Sequence, residues 1–392
     1  MKILATFCRF PYPLDKGDKL RAFYQIKELS KENDVYLFCF SSHHPKQEHI
    51  QILEKYCKQI HIERLSLLAQ FVSLFCSFFN KLPFQVALFS TIKAKRSFKS
   101  FFFKVNPDVS YFQFVRMGEL AKVISGKKVL DFQDCLSKNM ERRKANAGFL
   151  KRIIFSIEAK RLQRYEDTMF NLFDATTIIT DTDRQLINSE HRNDIQIIEN
   201  GVGDGFLLYD RKFDKEYDVI FSGNMSYSPN VMAARFLVKD IMPLVWEKIP
   251  KCKVVLAGSS PSKEVVELKN DKVFVTGWVE DMKEYYAKSR VFIAPMQIGT
   301  GLQNKLLEAM AIGLPCITTS LANKALKSKP NEEILVADDK QNLANYIIEL
   351  LSDQELRNKI SLNGNSFVKA NYSWQTSVKK LYDLLRQVVC VK

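Results

Sequence analysis

The sequence predicts an α/β fold of two domains, and three observations carry that prediction. Short apolar runs alternate with helical patterns along most of the chain. Several of those runs end in glycine, which lets a strand turn sharply into the next segment. At 392 residues the chain is long enough for two cores. Alternation at this spacing means parallel strands covered by helices on both faces. Each half therefore reads as Rossmann-like, with parallel sheets facing a central cleft of the kind that takes small molecules.

The C-terminal half shows the pattern most plainly. Strand-like runs are Asp218–Gly223, Lys253–Gly258, Val273–Gly277, Val291–Met296, Cys316–Thr319 and Ile334–Ala337. Helical patterns between most of them are Asn230–Lys248, Ser262–Lys269, Met282–Ser289, Leu302–Ile312 and Lys340–Leu351. The N-terminal half opens with a strand, Lys2–Cys8, a helix, Leu20–Lys31, and a second strand, Val35–Phe40. Later strand candidates are Gln59–Ile62, Asp108–Phe112, Lys128–Phe132, Ala175–Ile179 and Ile195–Glu199. Gly201, Gly203 and Gly205 mark Asn200–Lys215 as the linker. The expected division is 1–200 for the first domain and 201–370 for the second. A last helix in 371–392 is expected to return to the first domain.

Hydrophobic content of 46% and charged content of 26% are ordinary, but the formal charge of +14 is not. It implies an anionic partner: nucleic acid, an anionic membrane surface or phosphorylated substrates. The eight cysteines show no C-x-x-C pair, and four sit in or beside apolar runs, so a reducing compartment is expected. No signal peptide and no run long enough to span a bilayer is visible, so the protein reads as cytoplasmic. The histidines show no zinc spacing, and no metal site is expected.

The segment Gly299–Pro315 is the most informative. A glycine loop follows an apolar run and leads into a helix that stops at Gly313 and Pro315. On a helical wheel Gly301, Asn304, Lys305 and Glu308 share one narrow stripe. Leu302, Leu306, Leu307, Ala309 and Met310 cover most of the rest, so the helix should be buried. A buried amide, ammonium and carboxylate need partners. One reading is an ion pair between Lys305 and Glu308 at i,i+3 spacing. The other, favoured by the loop and flanking strands, is a ligand site. The Ser222-Gly223-Asn224 turn occupies a matching strand end, where ligands bind in open α/β sheets.

Leu67–Lys104 differs in kind. Ten phenylalanines interleave with Lys81, Lys93, Lys95, Arg96, Lys99 and Lys104, and acidic residues are absent. The stretch reads either as a peripheral contact with an anionic membrane or as a pair of core helices with buried Phe. RNA is set aside, since no nucleic-acid-binding motif is present.

The run G-x-x-x-K-x-L-E-A-M-A-x-G-x-P resembles the nucleotide-sugar motif of retaining glycosyltransferases of family 4, which have the GT-B fold. Phe221-Ser222-Gly223-Asn224-Met225, Val254–Gly258, Val273–Val279 and Ile198-Glu199-Asn200-Gly201-Val202 resemble further segments of that family in the same order. Pro11-Tyr12-Pro13 through Lys16–Arg21 resembles the loop after its first strand. The resemblance covers most of the chain and is strongest from Asn200 to Thr319.

The resemblance implies donor-binding roles for Gly223, Asn224, Gly299, Thr300, Gly301, Leu302, Asn304, Lys305 and Glu308. Glu308 would bind the ribose hydroxyls, and Lys305, from its place on the stripe, would reach a phosphate or the donor sugar. These two are the candidate catalytic residues, and Gly17 and Arg21 would face the cleft on the acceptor side. No cofactor is implied beyond the nucleoside diphosphate sugar itself. Two departures mark a divergent bacterial branch with G-T-G-L-x-N-K-x-L-E-A-M-A. Thr300 stands where the first Glu of E-x7-E is usual, and Ser226-Tyr227-Ser228-Pro229-Asn230 replaces the usual Arg/Lys pair. Tyr111-Phe112-Gln113-Phe114 stands where many relatives carry a histidine, which leaves the N-terminal catalytic group unassigned.

The activity implied is transfer of a hexose from a nucleoside diphosphate sugar to a hydroxyl acceptor with retention, in cell-surface polysaccharide or lipid-linked glycan assembly. Domain closure would exclude water from the reaction. The location implied is cytoplasmic and peripheral on the inner face of the cell membrane. Two alternatives stay open: a nucleotide-sugar epimerase of the same fold, and a degenerate subunit that binds membrane or a partner enzyme.

Overall fold

The computed structural model describes all residues except 146–147, 211–212, 299–300 and 391–392. The chain divides into two compact units, Met1–Glu199 with Trp374–Lys392, and Asn200–Ser373. In the first, β1 (Lys2–Phe7), β2 (Asp34–Ser41), β3 (Gln59–Arg64), β4 (Val109–Gln113), β5 (Lys127–Asp131), β6 (Ala175–Ile178) and β7 (Gln196–Ile197) form one sheet. Their order is β3-β2-β1-β4-β5-β6-β7, and every neighbouring pair is parallel. All of β4 and all but the first residue of β1 are buried, as a strand covered on both faces requires.

The second unit repeats the plan with β8 (Tyr217–Ser222), β9 (Val254–Ala257), β10 (Val273–Val275), β11 (Ser289–Ala294), β12 (Cys316–Thr318) and β13 (Leu335–Val336). The order is β10-β9-β8-β11-β12-β13, again parallel throughout. Its core is dense in Val219, Ile220, Phe221, Val255, Leu256, Phe292 and Ile293, all fully buried.

Several elements differ from expectation for identifiable reasons. Asn230–Lys248 is not one regular helix: Ser228–Phe236 runs into a π turn, Leu237–Ile241, and then into Met242–Lys248. Pro243 lies in the first turn of the last piece and has no N–H to extend a regular ladder. The glycine-marked stretch after Asn200 groups with the second unit, where Phe206 and Leu207 pack against the core. Two helices that the sequence pattern does not reveal, Leu136–Ala145 and Phe149–Thr168, lie between β5 and β6. The longer one buries Glu158 and Glu166 and exposes Phe149 and Leu150, which inverts the usual signal. The Phe-rich stretch matches the core reading over only one of its helices. Ile92–Val105 buries Phe98, Phe101 and Phe102 in the core, whereas Leu67–Asn80 buries only Ser77.

Helix Trp374–Cys390 lies on the first unit. Trp374 stacks on Tyr24 with ring centroids 5.1 Å apart, and Ser377 Oγ donates to Glu199 O at 2.5 Å.

Helix Gly17–Leu29 carries a correction. Arg21 does not face an open surface: its side chain is fully buried, and Nε donates to Asp131 Oδ2 at 2.7 Å. Tyr111 OH donates to the same oxygen at 2.9 Å, and Thr177 Oγ1 to the other at 3.1 Å. Arg21 shares the helix's inward face with Ala22, Gln25 and Ile26, and a cation on that face must be paired. Gly17, one turn earlier, is exposed at the helix start. Asp131→Ala leaves a buried guanidinium without its carboxylate. It should lower the unfolding free energy by about 3–5 kcal/mol in chemical denaturation. A loss within experimental error would mean that the pair contributes nothing to stability.

Candidate functional site

In the second unit the strand order turns between β8 and β11, which leaves a crevice beyond their carboxyl ends. Two glycines shape its floor. Gly223, directly after β8, has φ +149°, and Gly258, directly after β9, has φ +141°. A Cβ on Gly258 would lie 1.9 Å from the carbonyl oxygen of Gly223, so only glycine allows the two backbones to meet. A Cβ on Gly223 would lie 2.7 Å from Asn230 Nδ2 and 3.4 Å from Lys305 Nζ. The turn is completed by Asn224, whose Oδ1 accepts from Ser226 N at 3.0 Å and whose carbonyl accepts from Asn230 Nδ2 at 2.9 Å.

The second wall is helix Asn304–Ala311. It starts two residues later than the pattern predicts, so Gly301 and Leu302 belong to the preceding loop. Gly301 O accepts from Gln303 Nε2 at 2.9 Å, and Leu302 packs on the core. Gly299 and Thr300 lie outside the described residues. No side chain caps the helix at Gln303, so its first-turn N–H groups have no side-chain acceptor there. Asn304 Oδ1 accepts from Asn200 Nδ2 at 3.4 Å. Leu306, Leu307, Ala309 and Met310 are fully buried, as the wheel requires.

Lys305 and Glu308 do not pair with each other. Lys305 Nζ donates to Asn230 Oδ1 at 2.5 Å, lies 3.8 Å from Met296 Sδ and sits over the Phe221 ring, 4.7 Å from its centroid. The cation–π contact favours the ammonium. Burial nevertheless brings the Lys305 amine down to about 7, against the opposing pull of Glu308. Glu308 Oε2 accepts from Tyr286 OH at 3.2 Å, and Tyr286 OH is 2.7 Å from Ser222 Oγ. Burial pushes the Glu308 carboxyl up to about 7, although Tyr286 and Lys305 both act to lower it. The two groups are thus poised near neutrality and incompletely satisfied. Such a pair of perturbed groups in a crevice is a candidate binding or catalytic site. The ammonium can take an anion, and the carboxylate can accept hydrogen bonds from hydroxyl groups.

Asn230, Tyr286 and Ser222 are partners that sequence reasoning did not assign. Asn230 lies 75 residues from Lys305, and Tyr286 lies 22 from Glu308. Only an Asn spaced six after Asn224 and an acceptor-seeking Tyr in an otherwise ordinary helix hinted at them.

In the first unit the order turns between β1 and β4. Beyond β4, Phe114 takes φ +68° and brings Arg116 round, with its guanidinium 4.9 Å from the Phe114 ring centroid and Nη2 donating to Gln85 Oε1 at 2.6 Å. Beyond β5, burial pushes the Asp134 carboxyl up to about 6. Neither residue was singled out from sequence. The backbone turn that presents Arg116 is at a phenylalanine, which carries no turn signal.

Residues 216–353 match the family described as glycosyl transferases group 1. A solved structure, the sucrose-phosphate synthase of Thermosynechococcus elongatus, superposes with a TM-score of 0.71 at 16% identity over 100% of both chains. The fold is GT-B. The chain is similar at 23% identity to an uncharacterized 44.6 kDa protein in the cps region of Klebsiella pneumoniae, over 95% of this chain and 96% of that one. It is similar at 24% identity to the capsular polysaccharide biosynthesis glycosyltransferase CapM of Staphylococcus aureus, over 53% of this chain and 60% of that one. The protein is a glycosyltransferase. The matched segment contains β8, the glycine turn, Tyr286, Lys305 and Glu308, and so the whole crevice except Asn200.

Two measurements test this geometry. Gly258→Ala should destabilise the second unit by about 1–3 kcal/mol, from the positive φ and the clash with Gly223, in urea unfolding. Without ligand, stability should show a shallow minimum near neutrality. Glu308 prefers its protonated form in the fold, so its contribution is lost as pH rises from the ordinary carboxylate range through about 7. Lys305 has a lowered value, so its contribution is present above the ordinary lysine range and lost as pH falls through about 7. Unfolding midpoints of Lys305→Met/Glu308→Gln across pH should lose that minimum; an unchanged profile would contradict the desolvation of these two groups.

Proposed function

We propose that the crevice binds a nucleoside diphosphate sugar and that the enzyme transfers its hexose to a hydroxyl acceptor with retention at the anomeric carbon, as in glycosyltransferase family 4. The observation that carries this reading is the separate placement of Lys305 and Glu308, each held by a neutral neighbour and not by the other. A salt bridge would leave nothing for a ligand. In this reading Glu308 accepts from the two ribose hydroxyls. Lys305, the first-turn amides of helix Asn304–Ala311 and the Gly223-Asn224 turn meet the diphosphate. Stabilising that leaving group is the main demand of the reaction, and in this reading it falls to these side chains and backbone groups. Gly223 allows the donor's close approach because no Cβ stands over Lys305 Nζ. In this reading Gly17 is assigned to the acceptor. The similarity to a capsular polysaccharide glycosyltransferase supports a polysaccharide or lipid-linked acceptor.

The test is a panel of UDP-, GDP- and ADP-sugars followed by thermal stability, with the anomeric configuration of any product read by NMR. At least one nucleotide sugar should raise the melting temperature, and the product should keep the donor's configuration. Glu308→Ala should weaken donor affinity about 10–100-fold, the loss of hydrogen bonds to a charged group. Stabilisation by no nucleotide sugar would overturn the reading. Donor affinity should also be bell-shaped in pH with its maximum near neutrality. Below about 7 a proton must leave Glu308, and above about 7 one must be taken up by Lys305. Glu308→Gln should remove the acid limb and Lys305→Met the alkaline limb; two intact limbs in these variants would assign the titration to other groups.

A further inference from the structure

Helix Leu67–Asn80 is amphipathic the wrong way round for a soluble surface. Its inward side carries Gln70, Ser73 and Ser77, which hydrogen-bond to backbone carbonyls: Gln70 Nε2 to Leu88 O at 3.3 Å, Ser73 Oγ to Ala87 O at 2.7 Å, and Ser77 Oγ to Leu74 O at 2.5 Å. Its outward side carries Leu67, Leu68, Phe71, Phe75 and Phe79, between 59% and 83% exposed. Their spacing of i, i+1, i+4, i+8, i+12 is a continuous apolar stripe.

A second helix repeats the arrangement. At the start of Phe149–Thr168, Phe149, Leu150, Ile153, Ile154 and Ile157 are all exposed, at the spacing i, i+1, i+4, i+5, i+8. The two helices are joined by polar bonds. Arg161 Nη1 donates to Ser77 O at 2.8 Å and to Leu82 O at 3.1 Å, and Glu158 accepts from the backbone N–H of Phe84 at 2.7 Å and of Gln85 at 3.0 Å. Two outward apolar stripes fixed to one frame exceed the scattered hydrophobics of an ordinary surface.

The charge beside them is predominantly basic. No acidic residue occurs from Ser66 to Pro107 or from Arg142 to Ile157. Lys81, Arg142, Arg143, Lys151 and Arg152 are exposed beside the stripes. No described helix is long and apolar enough to cross a membrane. A second copy meeting this patch through itself would bring two basic rims together, at an electrostatic cost. An apolar stripe that enters the acyl boundary with cations at the headgroup level fits an anionic bilayer. We propose that helices Leu67–Asn80 and Phe149–Thr168 together form an interfacial docking surface for an anionic membrane, independent of the chemistry in the second unit.

The experiment is flotation of the full chain with vesicles of phosphatidylcholine alone and of equal parts phosphatidylcholine and phosphatidylglycerol. The protein should float with the anionic vesicles, at least about tenfold more than with the neutral ones, and less at high salt. Phe71→Asp/Phe75→Asp should abolish flotation, and Ile153→Asp on the other helix should weaken it. All three positions are exposed, so the melting temperature and its response to nucleotide sugars should not change. Absence of flotation, equal flotation on both vesicles, or indifference to the Asp substitutions would overturn the proposal. So would sedimentation showing a soluble dimer that the same substitutions dissociate, since a second copy would then cover the patch.

Discussion

The close approach of two backbones, Gly258 to Gly223, is the constraint on which the crevice depends. β8 and β9 are neighbours in the sheet, and both end at residues with positive φ that pack without side chains between them. That contact aims the chain after β8 so that Asn224 O can hold Asn230, and Asn230 in turn holds Lys305. The adjacent Ser222 holds Tyr286 and through it Glu308, so both ends of the polar stripe are reached from this one turn. A larger residue at either glycine would move all of them together.

The electrostatics of the site follow from how it is walled. Phe221 and Met296 lie against Lys305 and Tyr286 against Glu308, and burial among them disfavours both charges. An i,i+3 ion pair would have relieved them, but side-chain direction and the competing partners Asn230 and Tyr286 separate the two ends. The result is an ammonium and a carboxyl each near its switching point without ligand, and each able to gain from a ligand of the right polarity. Arg21 and Asp131 show the opposite solution in the other unit. There the carboxylate receives Arg21, Tyr111 and Thr177 at once, and the cluster is closed to solvent. Arg21 and Asp131 are wholly buried and joined directly, whereas Lys305 and Glu308 are half-buried and each is held by a neutral neighbour.

Outside the crevice, the molecule uses polarity in an unusual direction. Helix Leu67–Asn80 turns its serines and glutamine to the protein and its phenylalanines outward. The neighbouring helix Ile92–Val105 has similar composition but buries Phe98, Phe101 and Phe102. Composition alone could not separate the two, because a count of aromatic and basic residues carries no information about which side of a helix meets the core.

Much of this protein was legible in its sequence, and the reason is periodicity. Apolar runs closed by glycine located the parallel strands, since a strand buried on both faces must be apolar throughout. The wheel over Leu306–Met310 located a buried helix with Lys305 and Glu308 on its polar stripe. What only the tertiary structure decided was partnership. Asn230 and Tyr286 reach the stripe from distant segments. Arg21, one turn from exposed Gly17, is consumed by Asp131, 110 residues away. The Phe149–Thr168 helix was hidden because its first turns expose apolar residues and its inward face mixes glutamates with Ala159, Leu162 and Tyr165. Periodicity reports that a face differs from its opposite, while packing determines which of the two is turned inward.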